Sequence, residues 1–83
     1  MNFIAEIDIM PKKELLDPQG KAVEQGLQRL ELNGIEQVRV GKHISLKITA
    51  ASEDEAKTLT EEACKKLLAN QIMESYEFSI HAQ

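Results

Sequence analysis

Five residues of this 83-residue chain could do acid–base chemistry: Glu6, Asp8, His43, Glu77 and His81. Each falls at an alternate position of a segment in which apolar and polar residues alternate, so all five are expected on one open face of a sheet. A general base needs an imidazole oriented by a carboxylate inside a pocket. A small enzyme using His43 with Glu6 or Glu77 is therefore one reading. An open sheet face is not a cleft, however, and charged pairs across neighbouring strands are ordinary sheet chemistry. Cys64 is the single cysteine. It sits in a helical stretch beside apolar residues, which suits a buried structural thiol better than a nucleophile, because a nucleophile needs a base and an exposed electropositive setting. One Cys and two distant His fall short of the about four ligands of a structural zinc site. Gly20-Lys21 and Gly41-Lys42 lack the upstream glycine and the following Ser or Thr of a phosphate-binding loop. No catalytic, metal-binding or cofactor-binding residue is assigned. Lys12-Lys13-Glu14 is expected to be a solvated loop, or a docking contact.

The elements that must position these residues are legible from their periodicity. Phe3, Ala5, Ile7 and Ile9 alternate with Ile4, Glu6 and Asp8, which predicts a strand ended by Pro11. Asp17-Pro18 predicts a helix start: the carboxylate can accept a first-turn N–H, and proline suits the first helical position. Ala22, Val23, Leu27 and Leu30 form its apolar stripe, and Asn33-Gly34 is expected to supply the left-handed stop. Val38, Val40, Lys42, Ile44, Leu46 and Ile48 repeat with period two. A two-residue turn at Gly41-Lys42 would turn Ile44, Leu46 and Ile48 away from Val38 and Val40. One long strand over about 35–50 is therefore predicted, with Gly41 at a bend or bulge. Such a strand exceeds the usual length, so one end is expected to pair with another chain. Ser52 with Glu55 reads as a capping box. Ala56, Leu59, Ala63 and Leu67 follow as the buried stripe, with Leu68 and Cys64 at its margin. Tyr76, Phe78 and Ile80 mark the last strand.

The expected fold is α+β, a single domain over residues 1–83. Its order is β-α-β-α-β in two layers, with two helices on one face of a three-stranded sheet and a long bent second strand pairing across a dimer. The open face is expected to carry Ile4, Glu6, Asp8, Arg39, His43, Lys47 and Glu77. Strand order does not follow from periodicity.

Composition narrows the partners. The chain has 10 Lys and Arg against 14 Asp and Glu, a formal net charge of -4, and three aromatics, Phe3, Tyr76 and Phe78. Scattered cations and few stacking rings argue against nucleic acid. No apolar run approaches the roughly 20 residues of a membrane span. Residues 1–10 lack the basic start of a signal peptide, and one free cysteine suits a cytoplasmic location. A chain this short buries a thin core, and with neither disulfide nor metal in prospect a partner subunit is the support left.

Leu16-Asp17-Pro18-Gln19-Gly20-Lys21-Ala22-Val23 and Val38-Arg39-Val40-Gly41-Lys42 go beyond periodicity. Together with Lys66-Leu67-Leu68-Ala69-Asn70 and Tyr76, they resemble the PurS family over essentially the whole chain. PurS is the small third subunit of the phosphoribosylformylglycinamidine synthase complex of purine biosynthesis. The resemblance implies a non-catalytic dimer, or dimer of dimers, that helps join two larger subunits. In that complex the synthase subunit holds ATP, magnesium and formylglycinamide ribonucleotide, and the glutaminase subunit releases ammonia. It makes Asp17, Pro18, Gly20, Arg39, Gly41 and Lys42 the candidate subunit interface. Capping accounts for Asp17 and Pro18 by itself; Arg39, Gly41 and Lys42 are open to a contact role or to simple bending. A small dimeric module that senses a metabolite is the alternative reading.

Overall fold

The computed structural model describes residues 1–83. It contains β1 (Asn2–Pro11), α1 (Pro18–Arg29), β2 (Lys42–Thr49), α2 (Glu53–Ala63) and β3 (Glu74–Ala82). Cys64–Leu68 continues α2 as a π-helical turn. The three strands form one antiparallel sheet in the order β2-β1-β3. The α+β class is the one expected from the alternation, and the strand order is new.

The register explains the two faces. Ile7 pairs with Ile44 on one side and Phe78 on the other, and Ala5 pairs with Leu46 and Ile80. These side chains share the covered face. Ile7 and Ile9 are wholly buried there and Phe3 nearly so. Burying each such side chain is worth about 1.5–3 kcal/mol. Glu6 and Asp8, one residue out of step, point to the open face opposite Ser45 and His43.

Connectivity decides which helix packs. β2 and β3 both run antiparallel to β1 and lie on opposite sides of it, so the segment joining them must cross the sheet. α2 makes that crossing. Ser52 Oγ accepts from the Glu55 amide at 3.2 Å, and three acids occupy the first turn. The buried stripe of α2 shares Ala56 with the predicted one, and Cys64 from its margin, but not Leu59 or Leu67. Ala56, Thr60 and Cys64, four residues apart, are wholly buried, while Leu59 is 42% and Leu67 83% exposed. Small side chains let the helix lie close to the sheet, and Thr60 Oγ1 satisfies itself by donating to the Ala56 carbonyl at 2.8 Å.

α1 joins adjacent antiparallel strands and needs no crossing. Of its residues only Gly20 is buried. Its predicted apolar stripe is uncovered, with Val23 46% and Leu30 70% exposed. The helix also stops earlier than Asn33-Gly34. Glu31 takes the left-handed conformation at φ 61, with the Glu31 amide donating to Gln28 O and the Leu32 amide to Leu27 O. That is a Schellman closure built on a non-glycine residue.

The long second strand is shortened as well. Pairing ends at Ile9 with Lys42, and residues 35–41 lie outside any strand. Two causes are visible. Pro11, on the next stretch of β1, has no N–H for a ladder. The amides of Val38 and Val40 are taken by side chains instead, as described next.

Candidate functional site

The two motifs meet in space. Asp17 Oδ1 accepts from the Gly20 amide at 3.0 Å, closing the first turn of α1. Its other oxygen, Oδ2, accepts from the Val40 amide at 2.9 Å, across 23 residues. These two backbone N–H groups, Gly20 first, hold the Asp17 carboxyl below the usual carboxylate range. Glu24 adds a second tie, accepting from the Val38 amide at 3.4 Å. Pro18 stands at the start of the helix as the sequence predicts.

Gly20 is required by closeness rather than by flexibility. A Cβ there would lie 2.1 Å from the Val38 carbonyl oxygen and 2.7 Å from Asp17 Oδ2. Gly41 is under the same constraint: a Cβ would fall 2.4 Å from the Ile9 carbonyl oxygen and 2.2 Å from Met10 Sδ. The glycine read as a strand bend therefore marks the place where the chain passes under the end of β1. Arg39, expected on the open face of a strand, instead donates from Nη2 to the Pro11 carbonyl. Asp17, Pro18, Gly20, Arg39 and Gly41 thus form one junction that ties α1 and residues 38–41 to the end of the sheet. Lys42 stands just beyond it, opposite Ile9, with Nζ 3.9 Å from Glu74 Oε2.

Two cavities adjoin the junction and share Leu15, Leu16 and Asp17. One of 350 Å³ is lined by residues that include Leu15, Leu16, Pro18, Val40 and Met73. Another of 520 Å³ involves Lys13, Leu16, Lys21 and Arg39.

The acid–base residues gather elsewhere. On the open face His43 Nδ1 is 2.6 Å from Asp8 Oδ1, and His81 Nε2 is 3.3 Å from Glu6 Oε2. The hydrogen bond with Asp8 raises the His43 pKa above its ordinary value. The histidine's hydrogen-bond partner is thus Asp8; of the two carboxylates expected, Glu6 lies 4.0 Å from His43 Nε2 and Glu77 makes no ion pair with it, and the side chains of His43 and Asp8 are more than half exposed. These are cross-strand pairs on a solvated face. No group of three or more His, Cys, Asp or Glu is placed to share a metal ion. Cys64 is buried, and desolvation raises its thiol pKa. No helix is long and apolar enough to cross a membrane.

Sequence reasoning missed two residues. Glu24 reaches Val38, and Glu61 accepts from the Tyr76 hydroxyl at 2.7 Å. The latter bond drives the tyrosine pKa up to about 12. Both contacts join residues 14 or 15 apart, from a helix to another part of the chain. No local pattern signals them.

The family model described as PurS, phosphoribosylformylglycinamidine (FGAM) synthase, matches residues 4–82. The chain belongs to the PurS family. It is 40% identical over 81 residues to the phosphoribosylformylglycinamidine synthase subunit PurS of Synechocystis sp., covering 98% of this chain and 81% of that protein. Its fold superposes on Bacillus subtilis PurS with a TM-score of 0.85 at 32% identity, covering 96% of this chain and 99% of the other. A chain of PurLQS from Thermotoga maritima gives a TM-score of 0.88 at 28% identity, covering 98% and 99%. The two motifs that carried the resemblance to PurS are the two that the Asp17 carboxylate joins.

Proposed function

We propose that the chain is a non-catalytic structural subunit of phosphoribosylformylglycinamidine synthase, joining a synthase subunit to a glutaminase subunit so that ammonia passes between them without escape. Membership of the PurS family makes it a subunit of that enzyme, in purine biosynthesis. The match over residues 4–82 is the observation that carries the reading. The geometry supports it. The acid–base groups lie on an exposed sheet face, where no enclosed site would strip water from a reacting group. The built feature of the molecule is a rigid junction that holds a helix with an uncovered apolar stripe.

In this reading the larger subunits carry the chemistry. Formylglycinamide ribonucleotide, ATP and glutamine become formylglycinamidine ribonucleotide, ADP, phosphate and glutamate. ATP and magnesium sit in the synthase subunit, and this chain holds no cofactor. The chain works in the cytoplasm as a homodimer, or a dimer of dimers, within the complex. Val23 and Leu30 on α1 and the free outer edges of β2 and β3 are the surfaces a second copy would cover. Asp17, Pro18, Gly20, Arg39, Gly41 and Lys42 shape the contact region. The test is reconstitution with the synthase and glutaminase subunits of the same organism. Glutamine-dependent turnover is expected to require this chain, while turnover with added ammonium is not. Equal glutamine-dependent turnover with and without it would sink the proposal.

A further inference from the structure

The region around α1 carries three cations that make no close ion pair within the chain. Lys13, Lys21 and Arg39 line the 520 Å³ cavity together with Leu15 and Leu16 and the two acids Asp17 and Glu24. None of the three takes part in an ion pair within 4.0 Å. The nearby carboxylates are turned elsewhere. Both oxygens of Asp17 accept from backbone amides, Glu24 accepts from Val38, and Glu74 faces Lys42 and the Asn70 amide. Arg39 uses Nη2 on the Pro11 carbonyl. A guanidinium has five N–H donors, so the rest of the fork is left for another acceptor.

The same cavity has an apolar floor. Leu16 is 76% exposed and Leu15 37% exposed, in a loop that precedes the helix cap. In a chain of net charge -4, three cations against the two carboxylates of Asp17 and Glu24 leave this lining net positive around two exposed leucines, opposite in sign to the whole. The cations are spread around an open groove, and both lysines are solvent-exposed. A small phosphate site would draw buried donors onto one point. A protein segment in which acids flank an apolar anchor fits charge and floor together.

We infer that this groove docks an acidic segment of one of the larger subunits, with an apolar residue of that segment against Leu15 and Leu16 and its carboxylates on Lys13, Lys21 and Arg39. The inference rests on the subunit role proposed above and adds the chemistry of the partner surface.

The test compares two double charge reversals of equal size. Lys13→Glu with Lys21→Glu alters the groove. Lys47→Glu with Lys57→Glu alters unpaired lysines on β2 and α2. Neither Lys13 nor Lys21 makes a side-chain hydrogen bond or ion pair, so both doubles are expected to melt like the wild type by circular dichroism. Association with the two larger subunits is followed at low and high salt. The groove double is expected to associate about tenfold or more slowly at low salt, and the gap is expected to narrow at high salt. Leu16→Ser is expected to weaken binding at both salts, mainly by faster dissociation. If the two doubles associate within twofold of each other while glutamine-dependent turnover still needs the chain, the docking inference falls and the subunit role stands. If the wild-type chain neither binds nor activates the larger subunits, both fall. If inorganic pyrophosphate raises the melting temperature of the chain alone, and Lys13→Glu with Lys21→Glu removes that rise, the groove is a small-anion site and protein docking is refuted.

Discussion

Alanine in place of Gly20 and of Gly26 makes the same chemical change twice in one helix, and opposite signs are expected. Both glycines lie in α1. A Cβ on Gly26 would meet nothing within 4 Å. Gly26→Ala therefore gains only the relief of backbone entropy, about 0.5–1 kcal/mol of stability. A Cβ on Gly20 would stand 2.1 Å from the Val38 carbonyl oxygen and 2.9 Å from its carbon, where ordinary contact begins at 3.4 Å. The neighbour is backbone, so no rotamer change relieves the clash. α1 and residues 38–40 must part by more than 1 Å. Overpacking of this kind costs about 1–3 kcal/mol. The Val40 amide, pulled from its acceptor, adds about 1 kcal/mol. Set against the same helix gain, Gly20→Ala is expected to destabilise by about 1–3 kcal/mol, which puts the two variants about 2–4 kcal/mol apart. For a domain of this size that separates the melting temperatures by on the order of 10–25 °C. Urea and thermal melts by circular dichroism at one fixed chain concentration read the difference, since self-association shifts apparent stability. Two variants that shift the same way, or differ by less than about 0.5 kcal/mol, would refute the claim that Gly20 is there for the approach of Val38.

Three further outcomes follow from single contacts. Glu31→Gly is expected to stabilise the chain by about 0.5–1 kcal/mol, because a left-handed residue with a side chain pays strain that glycine avoids; a urea midpoint that falls would contradict the helix closure. Tyr76 should titrate near 12 by ultraviolet absorbance, and Glu61→Gln should bring it down toward 10. Its folded pKa is raised, so the stability it lends is whole below pH 10 and is lost between 10 and about 12. His43, observed by NMR, should titrate above 6.5, and Asp8→Asn should lower its midpoint. Here too the raised folded pKa means the contribution is complete below pH 6.5 and disappears as pH rises through the folded value. An unchanged midpoint in Asp8→Asn would show that Asp8 is not the partner.

Much of the fold was legible because it follows from periods and caps. The alternation of Phe3 to Ile9, and of Tyr76 to Ile80, places one face of each strand inside whatever the strand's neighbours are. Asp17-Pro18 and Ser52 start helices through side-chain bonds three residues long, which a local reading can see. The stripe of α2 was misread for a physical reason. Leu59 and Leu67 are more hydrophobic than Thr60 and Cys64, but distance to the sheet decided burial, and the smaller residues face it. The stop of α1 was misread because glycine is the usual left-handed residue, whereas Glu31 takes that place.

The candidate site divides in the same way. Its membership was in the sequence: the two motifs name Asp17, Gly20, Arg39 and Gly41, and they carried the resemblance to PurS. Their meeting was not. That a single carboxylate would cap a helix with one oxygen and hold Val40 with the other depends on a separation of 23 residues that only the folded chain closes. The same closure takes residues 35–41 out of the predicted strand, because amides capped by Asp17 and Glu24 cannot also join a ladder. Local spacing determined which residues form strands and helices, since periodicity and capping act over a few residues. Tertiary structure decided strand order, which helix covers the sheet and where Gly20 and Gly41 must stay bare, since those depend on backbones meeting from distant parts of the chain.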